Sequence, residues 1–112
     1  MLFCIVKLKN DSFRELVTRA VRVEPISEFA ITPHALFEMK RRRLSEEVVR
    51  KVLADPEQRI KVRPGRHVLQ SRVSMEGQTY LVRVVVDIEA TPVEVVTAYR
   101  TSKVEKYWRN GP

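Results

Sequence analysis

Arg66–Ile88 reads RHVLQSRVSMEGQTYLVRVVVDI, and this stretch decides the fold. Two runs that read as long strands, Arg66 to Met75 and the valine-rich Gln78 to Ile88, are joined by Glu76-Gly77. Two residues ending in glycine suit a tight hairpin turn. If Met75 pairs with Gln78, then Val73 faces Tyr80, Ser71 faces Val82 and Leu69 faces Val84. One face then carries Leu69, Val73, Tyr80, Val82, Val84 and Val86, and helices should pack there. The other face carries Val68, Gln70, Arg72, Thr79, Leu81, Arg83 and Val85, with Arg83 opposite Gln70. An arginine among valines on a central strand is costly unless solvated or paired. This second face is therefore expected to be open and is a candidate ligand surface.

The rest of the chain falls into place around that hairpin. Upstream, Gln58 to Arg63 reads as a short strand with Ile60 and Val62 on one face, and Pro64-Gly65 as a turn. Downstream, Ala90-Thr91-Pro92 turns the chain into a last strand, Val93 to Arg100. Thr101-Ser102 then opens a short C-terminal helix carrying Val104, Tyr107 and Trp108. Before the sheet, Thr32 is a candidate N-cap and Pro33 suits the first helical position. That helix runs to about Arg42, with Leu36 and Met39 inward and Ala35 beside them. Ser45 caps a second helix, Glu46 and Glu47 suit its positive end, and Val48, Val49, Val52 and Leu53 form its apolar face. Asp55-Pro56 stops it. The expectation is an α+β domain over residues 29–112: two helices packed on one face of a four-stranded antiparallel sheet, with a short C-terminal helix. Residues 1–28 read as an extra N-terminal β-α segment. Met1 to Lys9 is strand-like, and Phe13, Leu16, Val17, Ala20 and Val21 recur at helical spacing. This segment suits an arm laid on the domain or a homodimer contact.

The chain has 112 residues, a length for one core. Its longest uncharged apolar run is six residues, Met1 to Val6, so neither a membrane span nor an ordinary signal peptide is expected. One cysteine, Cys4, gives no internal disulfide, and a cytoplasmic location is the default. No His, Cys and acid cluster has metal-ligand spacing, and no glycine-rich loop is present, so no metal or other cofactor is expected. The net charge is +7, and five of the seven excess charges lie in residues 33–66. A concentrated basic excess points to a polyanion, most simply nucleic acid. Solubilising charge on exposed helices explains the same composition equally well.

Thr32-Pro33-His34-Ala35, then Met39, Arg42, Leu44 and Ser45, resembles a motif of the form T-x-H-A-x-x-x-M-x-x-R-x-(I/L)-S. This motif opens a family of small bacterial domains of unknown function. Val96-Thr97-Ala98-Tyr99, with Ser102-Lys103 and Tyr107, resembles the family's closing strand and helix. The family in turn looks similar to the BrnT and RelE-type toxins of toxin–antitoxin pairs. The resemblance covers about residues 29–108. It implies a metal-independent endoribonuclease with RNA as substrate and an antitoxin protein as partner. Two positions depart from the pattern. Glu38 stands where the family often has arginine. Arg43 stands where it often has glycine, at a helix end where a left-handed conformation would cost about 1 kcal/mol.

Metal-free RNA cleavage requires a base for the 2′-hydroxyl, an acid for the leaving oxygen and cations for the phosphorane. His34, in the first turn of a helix, is the candidate acid or base, against a structural hydrogen bond to the sheet. His67 begins a strand on the core face and reads as structural. Arg83 is the candidate catalytic cation. Tyr99 is the candidate to orient the hydroxyl or stack a base, against an inward-packed aromatic. Lys40, Arg41, Arg42 and Arg43 are candidate nucleic-acid contacts, joined by Arg66 and Arg72. The rival account is a non-enzymatic nucleic-acid-binding or protein-interaction module.

Overall fold

The computed structural model describes residues 23–110. The strand and helix expected over residues 1–22 lie outside the described residues. The described chain runs β1 (Phe29–Ile31), α1 (Pro33–Arg41), α2 (Glu46–Ala54), β2 (Gln58–Arg63), β3 (Arg66–Met75), β4 (Gln78–Asp87), β5 (Val93–Thr101) and α3 (Val104–Tyr107). The architecture is α+β, but the sheet has five strands rather than four, in the order β1-β5-β4-β3-β2. The additional strand, β1, pairs with β5 in parallel, so the sheet is not wholly antiparallel. Three residues are too few to show a period of two, which is why β1 was not legible in the sequence.

The central hairpin has the expected register, with Met75 opposite Gln78, Val73 opposite Tyr80 and Leu69 opposite Val84. Glu76 and Gly77 both have positive φ, as a tight two-residue hairpin turn requires. Leu69, Val82, Val84 and Val86 are completely buried under the helices. Thr32 and Ser45 are the N-caps, and each side chain accepts a hydrogen bond from the amide three residues on, Ala35 at 3.1 Å and Val48 at 3.2 Å. Val49, Val52 and Leu53 of α2 fill the core against β3 and β4. Full burial of one such leucine contributes roughly 1.5–3 kcal/mol. α1 lies along β5, held at its start by Thr32, whose hydroxyl donates to the Val95 carbonyl at 3.0 Å. Ala35 and Met39 are its inward residues, one turn apart. Leu36, expected inward, is exposed, because burial of Ala35 and Met39 turns it to the side. Val62 is also exposed: β2 is an edge strand, and a register irregularity between Lys61 and Arg63 turns Val62 outward.

Arg43 adopts φ 56°, the left-handed conformation that glycine would take without cost. This turn lets the Leu44 amide reach the Met39 carbonyl at 2.8 Å and sends Leu44 into the core. Ahead of β1, Ile26 is buried, and its amide donates to the Leu53 carbonyl at 2.7 Å. The core therefore extends upstream of residue 29. No described helix is long and apolar enough to cross a membrane.

Candidate nucleic-acid interface

The face opposite the helices is not open as expected. After β5 the chain returns across it through α3 and the residues that follow. Gln70 is fully buried there and organises the contact. Its amide nitrogen donates to the Tyr107 carbonyl at 3.2 Å and to Gln58 Oε1 at 2.7 Å. Gln58 Nε2 donates to the Arg109 carbonyl at 2.7 Å, and the Arg109 amide donates to Gln58 Oε1 at 3.1 Å. Two strand glutamines thus hold the tail as a further strand would. An unpaired buried amide costs about 1–3 kcal/mol, so the tail is tied to this face.

Arg83 projects into this layer from β4 and is half-buried. Its Nε donates to Gln70 Oε1 at 2.9 Å, and one terminal nitrogen donates to the Tyr99 hydroxyl at 2.7 Å. The Tyr107 ring lies 4.4 Å from the guanidinium. Pairing, rather than bulk solvation, makes this arginine tolerable among valines. Tyr99 stands opposite Arg83 in the register, on the face away from the helices, not packed inward. Tyr99 and Tyr107 meet edge to face, with centroids 6.5 Å apart. Arg42, at the end of α1, places its guanidinium 5.5 Å from the Tyr99 ring. α1 carries Arg42 there because it follows β1 and packs along β5. Arg42 and Arg83, far apart in sequence, therefore meet over one aromatic ring.

The other candidates are distributed around this centre. His34 is exposed in the first turn of α1 and shares no hydrogen bond with Arg83 or Tyr99. Eight residues of helix separate it from Arg42, about 12 Å along the axis. Of the three residues proposed as catalytic, Arg83 and Tyr99 meet and His34 stands apart. Lys40 and Arg43 are exposed and make no ion pair with a described residue. Arg41 and Arg42 are drawn to Glu38, at 2.8 and 3.4 Å. The hydrogen bond from Arg41, with Arg42 behind it, holds the Glu38 carboxyl below its ordinary range against the opposing cost of desolvation. Arg72 pairs with Glu57 at 3.1 Å and lies 4.0 Å from the Trp108 ring. That hydrogen bond lowers the Glu57 pKa and raises that of Arg72. Arg66 sits opposite Asp87 on the same sheet face, with its Nε buried and unpartnered among the described residues. Four residues of strand put it about 13 Å from Gln70. His67 is structural: its Nδ1 accepts from Arg59 Nε at 2.9 Å. Among the described residues no three His, Cys, Asp or Glu side chains converge.

Gln70, Gln58 and Tyr107 were missed as parts of this centre. The register already put Gln70 opposite Arg83, and that was the available signal. Glu38 as the partner of Arg41 and Arg42 was equally available from its three- and four-residue spacing.

Residues 31–100 match the family described as a domain of unknown function, DUF4258. The chain belongs to that family. The DUF4258 match begins at the end of β1 and closes within β5, so it takes in Arg42, Arg83 and Tyr99, whereas Tyr107 and Trp108 follow it. No curated protein and no solved structure matches the chain.

Proposed function

We propose that this domain binds single-stranded RNA at the Arg42–Tyr99–Arg83 cluster. The observation that supports this reading is the convergence of two arginines from different elements on one tyrosine. Arg83 uses Nε and one N–H of a terminal nitrogen, which leaves three of its five donors for a phosphate. Arg42 adds a second cation, and the aromatic rings offer stacking surface for bases. The concentrated basic excess adds long-range attraction for the same partner.

A second reading, metal-independent endoribonuclease activity, draws on the phenol. Because Tyr99 accepts the hydrogen bond from Arg83, its own proton is free for donation. In such a step the substrate's 2′-hydroxyl would give its proton to solvent water as its oxygen attacks phosphorus, the bond to the 5′-oxygen would break, and that oxygen would leave with the proton of Tyr99, whose phenolate water would then reprotonate. Arg83 and Arg42 would hold the phosphorane charge. The similarity to BrnT and RelE-type toxins supports this reading and adds an inhibitory antitoxin protein as partner.

The test is titration of a labelled mixed-sequence single-stranded RNA, read by anisotropy, followed by product analysis with and without ribosomes. Arg83→Ala is expected to weaken binding about tenfold, and Tyr99→Phe to leave it nearly intact. Cleavage is expected to give 2′,3′-cyclic phosphate ends and to fall about a hundredfold in Tyr99→Phe. No binding at low salt would sink both readings. Binding without cleavage in either setting would leave the binding module alone.

A further inference from the structure

A groove of about 700 Å³ lies beside the Arg83 centre, lined by Arg72, Thr79, Glu105, Trp108 and Asn110. We propose that this groove is a guanine-selective base subsite for the single-stranded RNA held at Arg83. The inference rests on the RNA-binding reading and adds base selectivity to it.

Arg72 pairs across the ladder with Leu81, and Arg83 pairs with Gln70. The two arginines are therefore diagonal neighbours on one face, roughly 7–8 Å apart. Each carries an aromatic ring from the returning tail, Tyr107 on Arg83 at 4.4 Å and Trp108 on Arg72 at 4.0 Å. Two adjacent residues of the tail thus set two arginine–aromatic pairs side by side. A strand whose phosphate rests on Arg83 brings a flanking base to Trp108.

Arg72 is held by Glu57, whose carboxylate accepts from both the Arg72 backbone amide and its side chain. The guanidinium therefore fixes the indole instead of serving as a free phosphate contact. A large ring with settled orientation loses little entropy when a base stacks on it.

The chemistry of the rim selects the base. Glu105 is exposed at the groove and, when ionised, is purely an acceptor. The Watson–Crick edge of guanine presents two adjacent donors, N1–H and the N2 amino group, which one carboxylate accepts together. Adenine, cytosine and uracil each offer a single donor group on that edge. The Thr79 hydroxyl and the Asn110 amide supply donors for the guanine O6.

Trp108 is the sole tryptophan of the chain, so its emission reports on this groove alone. Full-length protein is titrated with 5′-labelled uridine hexamers carrying one central guanosine, adenosine, cytidine or no substitution. Anisotropy and tryptophan emission are read together. The guanosine hexamer is expected to bind about tenfold tighter than the all-uridine one and to quench Trp108 in step with binding. Glu105→Gln, an exposed substitution, should remove that tenfold preference, and any change from losing the charge should be shared equally by all four hexamers. Anisotropy changes with constant Trp108 emission, or a guanosine preference that survives Glu105→Gln, would overturn the subsite while leaving RNA binding intact. Absence of binding by every hexamer would overturn RNA binding and the subsite together.

Discussion

At His67 the imidazole accepts a hydrogen bond from Arg59, so it must be neutral at Nδ1. Protonation would remove that lone pair and set two cations against each other. Burial is the larger cause that lowers its pKa below 6.5, followed by the charges of Arg59 and Lys61. The consequence for stability has a definite sign. Below 6.5 the unfolded chain takes up a proton at this position before the folded one does. Stability is therefore retained above that pH and lost as the pH falls from it through the folded value. Urea midpoints measured over roughly pH 7 to 5 should decline with acid, with a His67 contribution of at most about 1.4 kcal/mol per pH unit. His67→Gln keeps an acceptor without a proton to gain and should flatten this slope. An unchanged slope would show that His67 is not the titrating group. Glu57 acts lower, since its carboxyl pKa lies below 4.5 and the pairing with Arg72 is lost only as the pH drops through that value.

Along β4 the side chains alternate between the two faces of the sheet. Val84 is completely buried beneath the helices, whereas Val85 is half-buried on the face that meets the tail. Val84→Ala should cost about 2–3 kcal/mol, from lost transfer energy plus a residual cavity, and Val85→Ala about 1 kcal/mol. Chemical denaturation of the two variants checks this, and equal costs would contradict the register. That register was legible because Glu76-Gly77 fixes the pairing of every residue that follows in both strands. Both N-caps were legible too, because Thr32 and Ser45 stand directly before helical spacing. The path of the chain after Thr101 was not. Tyr107 and Trp108 read as anchors, but four helical residues carry no period that states which face they cover. For the same reason the second sheet face looked open, and the meeting of Arg42 with Tyr99 was hidden. That contact depends on α1 lying along β5, which only the parallel pairing of β1 establishes.

Over the whole molecule, the count of 21 basic side chains overstates how many are available to a polyanion. Glu38 engages Arg41 and Arg42, and Glu57 engages Arg72, so these cations are already partnered where they stand. Arg83, Lys40 and Arg43 carry no such partner among the described residues, and Arg42 is shared between Glu38 and the Tyr99 ring. Three or four phosphate contacts are therefore expected. For a single strand this gives a slope of log affinity against log salt of about −2 to −3. Arg83→Ala should reduce the magnitude of that slope by about 0.7, the share of one phosphate. Glu38→Gln should act in the opposite direction. It removes the acid that holds Arg41 and Arg42, restores cationic character near Tyr99, and should strengthen binding at low salt while steepening the slope. Solubilising charge predicts otherwise, since a helix that merely faces water gains no RNA affinity from losing one carboxylate at a particular turn. Glu46→Gln, which adds the same net charge at the start of α2, is the control. Equal gains from Glu38→Gln and Glu46→Gln would mean that net charge alone sets affinity and that the Arg42–Tyr99–Arg83 cluster has no special part in it.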